Sequence, residues 1–172
     1  MKADIIIGID PDATLNGVAR LDIAERKVWA TTLSFPLTLD YIMSVKREAQ
    51  SKGLSLLVVI EASWVTSTNW HTHRADNARL AARKGYDVGR CHETGKKLAE
   101  MLDHMNITVK EQTPLKKIWR GPDGKITHDE LTSFVKWSRK RSNQEERDAV
   151  LLAWNESGLP IRIPVTRKYE SK

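Results

Sequence analysis

The chain has 172 residues, with 28 Lys and Arg against 22 Asp and Glu, a net charge of +6. That length suits one domain with a core of its own, and 40% hydrophobic with 29% charged residues excludes an intrinsically disordered chain. The single cysteine, Cys91, excludes an internal disulfide and a multi-cysteine zinc site, and no apolar run approaches the roughly 18 residues of a membrane span.

Residues 4–10 (DIIIGID) are a nearly continuous β-branched run, as in a central strand buried on both faces. Asp12, Asn16 and Gly17 mark a turn into a second strand over 17–23, and 27–33 reads as a third. Turns this short enforce an antiparallel meander. The period then changes: Leu39, Ile42, Met43 and Ala49 predict a helix over 38–51, stopped by Gly53. LSLLVVI at 54–60 is a further strand that runs straight into Glu61. Residues 63–73 are polar, aromatic and without period, which predicts an exposed loop. Two helices follow, one over 74–84 ending at Gly85 and one over 92–105. A fifth strand is expected at 107–111, then a brief helix at Pro114, a turn at RGPDGK (120–125), and helices over 128–138 and 144–155. The expected architecture is α/β, a five-stranded mixed sheet with its first three strands antiparallel and helices packed on it. One domain over 1–155 and an irregular tail over 156–172 complete it. MKADIIIGID carries no signal-peptide pattern, so the expected location is cytoplasmic.

Asp10 and Glu61 each end an apolar strand, and right-handed crossovers would make those strands neighbours with both acids at one sheet edge. Glu145 and Asp148 are three apart and share one helix face, which Ala149 and Leu152 continue. The apolar part of that face must lie on the sheet, so its first turn can present both acids to the strand ends. Crowded carboxylates repel, and a divalent cation is their natural counter-charge. Two Mg²⁺ ions roughly 3.5–4 Å apart can activate a water and stabilise the leaving oxygen of a phosphodiester. The plainer alternative is that the strand-end acids are turn formers and that Glu145 and Asp148 favour the positive end of their helix beside Arg147.

The runs IIIGIDPD…NGVA, LLVVIEASW and EERDAVLLAW resemble the RuvC-type Holliday junction resolvases of the ribonuclease H-like superfamily, over about residues 4–155. The resemblance implies a ribonuclease H-like fold with helices on both sheet faces. It further implies that Asp10, Glu61, Glu145 and Asp148 hold two Mg²⁺ or Mn²⁺ ions, and that a homodimer nicks four-way DNA junctions symmetrically. The chain departs from the family pattern at Asp12, where the family has glycine, and at Glu145, where it commonly has Asp. Asp12 is either an additional acid beside the metals or a turn residue, the turn being favoured. Glu146 faces elsewhere on its helix and does not replace Glu145. Trp64 stands three residues after Glu61, where the family places an aromatic wedge; the alternative is a core tryptophan. Trp70 is a weaker candidate for the same role.

Between 110 and 141 there are nine basic residues against four acids, so most of the net charge precedes the acidic helix. Cations around an acidic metal site would attract phosphates. Lys116, Lys117 and Lys125 are the candidates by position, with His128 a rival to Lys125, while Arg74, Arg79 and Arg83 could line a second strand path. His71 and His73 read as polar loop residues, and His92, His104 and Cys91 have no zinc spacing. No Walker-type glycine loop implies a nucleotide cofactor. Other ribonuclease H-like nucleases, acting on RNA–DNA hybrids, flaps or forks, and a catalytically silent nucleic-acid-binding relative remain alternatives. An actin-like or sugar-kinase half-domain fits poorly, because the chain is too short for paired lobes and the late acidic pair has no role there.

Overall fold

The computed structural model describes residues 3–66 and 76–161. Five strands, β1 (Ile5–Asp10), β2 (Asn16–Asp22), β3 (Lys27–Leu33), β4 (Leu56–Glu61) and β5 (Val109–Gln112), form one sheet in the order β3-β2-β1-β4-β5. The first three pair antiparallel, while β4 runs parallel to β1 and β5 parallel to β4. This is the expected mixed sheet, with the strand ending in Glu61 beside the one ending in Asp10.

Alternation along the strands sorts the core into two layers. Ile5, Ile7 and Ile9 of β1, with Val58 and Ile60 of β4, face α1 (Phe35–Ser51) and the C-terminal part of α2 (Ala78–His104), where Ile42, Val45, Leu98 and Leu102 are buried. Ile6, Ala19 and Val59 face α4 (Gln144–Ser157), which buries Ala149, Val150, Leu152, Ala153 and Trp154 against them. Helices therefore cover both faces. Among the described residues no helix is long and apolar enough to cross a membrane.

Several elements differ from expectation. One continuous 27-residue helix, α2, replaces the two helices expected over 74–84 and 92–105. Gly85 and Gly89 do not stop it, because the C-terminal half is held by buried Leu98 and Leu102 and nothing forces the left-handed turn that ends a helix at glycine. The helix α1 starts three residues earlier than predicted, with Pro36 in its first turn. β5 starts at Val109, since the Ile107 N–H is spent on the Leu102 carbonyl at 2.9 Å, closing the end of α2. No helix forms at Pro114, and the helix expected over 128–138 is only α3 (His128–Thr132). Beyond it, Val135 and Trp137 turn inward with a period of two, and Lys136 pairs with Lys27 along the outer edge of β3. α4 continues to Ser157, two residues past its expected end, and Leu159 packs on the core beyond it.

Helix α4 lies unusually close to the sheet. A Cβ built on Gly8 of β1 would overlap the Ala149 carbonyl oxygen, and one on Gly17 of β2 would overlap the Glu145 carbonyl oxygen. These two glycines let helix backbone rest on strand backbone. Gly17 is also the partner of Asp10 in the β1–β2 register, so the first turn of α4 is set beside Asp10. Gly8→Ala or Gly17→Ala is expected to cost about 3 kcal/mol, a drop in melting temperature of roughly 6–12 °C. A thermal melt checks this, and an unchanged midpoint would show that α4 is not seated there.

Candidate active site

Asp10 and Glu61 share strand parity with Ile6 and Val59, so they project toward the face that α4 covers, at the carboxyl edge of the sheet. α4 starts at an Asn143 cap in a capping box: Asn143 Oδ1 accepts from the Glu146 N–H at 2.8 Å, and Glu146 Oε2 accepts from the Asn143 N–H at 3.1 Å. Glu146 is buried and also receives Arg139 Nη1 at 2.7 Å, while the same Nη1 donates to the Ala30 carbonyl of β3 at 2.9 Å. It is a structural residue, as its helix position implied. Arg139 is thereby paired within the protein rather than left for a phosphate.

The acids feel one another. Burial pushes the Asp10 carboxyl well above the ordinary carboxylate range, and Glu61, Asp148 and Glu145 push it the same way against the pull of Lys125. Burial likewise raises Glu61, with Asp148 adding to the effect and Lys117 and Lys125 opposing it. Asp148 is raised by burial too, although Gln144 and Lys125 stabilise its charge. Its two oxygens have separate partners: Gln144 Nε2 donates to Oδ1 at 2.7 Å, and Lys125 Nζ lies 3.6 Å from Oδ2. Glu145, in the first turn of α4, is exposed.

Lys117 and Lys125 flank the loop that follows β5. β5 ends at Gln112, the register partner of Glu61, so this loop leaves the sheet at the acids' own edge. Of the two rivals, Lys125 is the one whose side chain lies beside an acid of the group, at Asp148, whereas His128 Nδ1 is engaged with Ser142 Oγ at 2.8 Å and its ring lies 5.9 Å from that of Trp137. Lys116 is exposed. Lys110 is paired with Glu156 at 2.6 Å, away from this group.

Gln144 is the residue the sequence reading passed over. Arg147 Nη2 donates to its Oε1 at 2.7 Å, and Arg147 is itself held by the Ser142 and Ile126 carbonyls. Those contacts leave the Gln144 amide N–H free to orient Asp148. The i,i+4 spacing of Gln144 and Asp148 was the available signal. Asp12 is a turn residue, its Oδ1 accepting from the N–H groups of Thr14 and Leu15 at 2.8 and 3.3 Å. Trp64 is partly buried, its six-membered ring filling the space above Gly95 of α2 with Pro11 and His92 beside it. That placement gives it a packing role, and a wedge role would require it to leave the notch. Arg79 and Arg83 are exposed on α2. Trp70, His71, His73 and Arg74 lie outside the described residues.

Among the described residues no three His, Cys, Asp or Glu side chains converge closely enough to ligate one ion as placed. The donor chemistry nonetheless fits a hard divalent cation. Burial disfavours the charge on all three carboxylates, Asp148 adds to this at both Asp10 and Glu61, and the nearby counter-charge comes from lysines that a metal could displace.

A sheet ordered 3-2-1-4-5, antiparallel through its first three strands and covered by helices on both faces, is the ribonuclease H-like α/β architecture. Among solved structures the chain is similar to T. thermophilus RuvC in complex with Holliday junction substrate, with a TM-score of 0.45, 13% identity, and coverage of 87% of this chain and 89% of that one. It is also similar to a Thermus thermophilus RuvC structure, with a TM-score of 0.41, 13% identity, and coverage of 87% and 90%. No protein-family model and no curated protein matches the chain.

Because the folded-state pKa of Asp10 is raised, its penalty is absent below the unfolded value of about 3.9 and grows as pH rises through the folded value. In EDTA, Asp10→Asn is therefore expected to melt higher than wild type at about pH 7.5, the gain vanishing toward about pH 4. Thermal melts across this range check it; a lower midpoint for the variant at neutral pH would contradict the crowded-acid picture.

Proposed function

We propose that this protein is a divalent-metal-dependent endonuclease that cuts branched DNA, with four-way junctions as its substrate. The carrying observation is that Asp148, in the first turns of α4, acts on Asp10 and Glu61 at the sheet edge that α4 covers, with lysine as the counter-charge. Asp10, Glu61, Asp148 and the longer-reaching Glu145 would hold two Mg²⁺ or Mn²⁺ ions, which supply activation of water and stabilisation of the leaving oxygen. Gln144 keeps the Asp148 carboxylate oriented, so that its remaining lone pairs point to one side. Lys125, now paired with Asp148, can turn to the scissile phosphate once the acids are neutralised otherwise, and the exposed Lys117 stands ready beside it. Lys116 and Arg120, exposed on the same loop, add attraction for the backbone.

The choice of a four-way junction follows from the sequence resemblance, and paired symmetric nicks call for a two-fold dimer. The first half of α2, with Leu80 and Tyr86 exposed, is the proposed interface.

The experiment incubates wild type and Asp148→Asn with labelled junction, flap, RNA–DNA hybrid and linear duplex, in Mg²⁺ and then in EDTA. Junction cutting that EDTA abolishes and Asp148→Asn lowers by at least about 100-fold is expected. Equal cutting by the variant would sink the active-site assignment. Cutting of the hybrid alone would replace the junction with another ribonuclease H-like substrate, and binding without cleavage in either metal would indicate a silent relative.

A further inference from the structure

We propose that Ile118 is an apolar wedge that enters a base step of the DNA arm beside the cleaved phosphate, an assignment that rests on the nuclease reading above. Ile118 is 74% exposed, the most exposed of the large hydrophobic side chains among the described residues. A lone exposed isoleucine is ordinary; its setting is not.

The first feature is position. The loop leaves β5 opposite Glu61, and Ile118 follows Lys117, whose charge acts on Glu61, while Lys125 on the returning limb lies 3.6 Å from Asp148. Ile118 thus lies on the loop that carries both of the acids' lysine counter-charges, next in sequence to one of them, on the side from which a strand to be cut would approach.

The second is bracing. The Trp119 N–H donates to the Gly124 carbonyl at 3.0 Å, the Gly121 N–H to the Lys125 carbonyl at 3.0 Å, and the Arg120 N–H to Glu130 Oε1 at 3.0 Å. The Trp119 ring stacks on Phe134 at 6.1 Å, anchoring the loop to the core directly after Ile118. At Gly124, φ is +71°, and this residue packs against the Lys117 backbone so closely that a Cβ would clash. An apolar tip on a loop already ordered loses little entropy on insertion.

The third is company. Lys116, Lys117 and Arg120 flank Ile118 in sequence and are exposed. Lysine is depleted at protein interfaces, whereas an aliphatic wedge flanked by cations suits a base step between two phosphates. Trp64, the aromatic that sequence position suggested, is seated over Gly95 instead.

The test uses a junction and a linear duplex carrying aminopurine at the step beside the cut, with Ca²⁺ in place of Mg²⁺ to keep the DNA intact. Wild type should raise aminopurine fluorescence on the junction. Ile118→Ala should remove most of that rise and weaken junction binding about tenfold or more. Its melting temperature and the salt dependence of its binding should stay unchanged, since no charge or buried group is lost, and Ile118→Met should restore the signal. If wild type cuts junctions and Ile118→Ala matches it in fluorescence and affinity, the wedge assignment alone is overturned. Loss of the signal in Trp64→Ala with its retention in Ile118→Ala overturns it as well. If wild type neither binds nor cuts branched DNA, the nuclease reading fails and this assignment with it.

Discussion

The architecture depends on how closely α4 approaches the sheet. Two glycines, Gly8 and Gly17, let helix carbonyls rest where side chains would otherwise stand, and the second lies opposite Asp10. The first turns of α4, which carry Glu145 and Asp148, are consequently set beside the strand-end acids although they come from opposite ends of the sequence. A larger residue at either position would lift the helix by the thickness of a methyl group, and the acids would part. The Asn143–Glu146 capping box and the Arg139 bridge to β3 then fix where the helix begins and how it is rotated.

Such closeness has an electrostatic cost. Asp10, Glu61 and Asp148 are all held in a state where charge is disfavoured, so the fold carries local instability that tighter packing elsewhere must offset. Lys125 and Gln144 soften it without removing it. The basic surplus, vague as a sum, becomes specific in place: some cations are spent within the protein, as Arg139 and Lys110 are, and those on the loop after β5 stand beside the acids.

Much of this was legible in the chain. The β-branched run before Asp10 and the aliphatic run before Glu61 defined two buried strands, and topology rules made them parallel neighbours, as found. The helix pattern of α4 pointed its acids toward the strand ends. What escaped depended on contacts between distant segments. Gly85 looked like a helix stop because local propensity disfavours glycine, yet Leu98 and Leu102 anchor the helix from farther along. The inward period of Val135 and Trp137 belongs to an edge-covering segment that only the presence of β3 makes favourable. Trp64 looked exposed from its polar neighbours because the notch at Gly95, 31 residues away, cannot be read locally.

The length of α2 has a further meaning. No residue from Ala78 to Thr94 is buried, and among the described residues the helix packs on the core through its later turns. A free helix of that size is marginal in water, so the early turns persist by propagation from the docked end, helped by the Asn77 cap and the pairing of Lys84 with Asp76. Local stability is therefore graded along a single element: amide exchange should be slow near Leu102 and quicken turn by turn toward Asn77. A helix built this way can be firm at the core and responsive at its far end, so whatever touches its first turns can lengthen the life of the whole without altering the sheet.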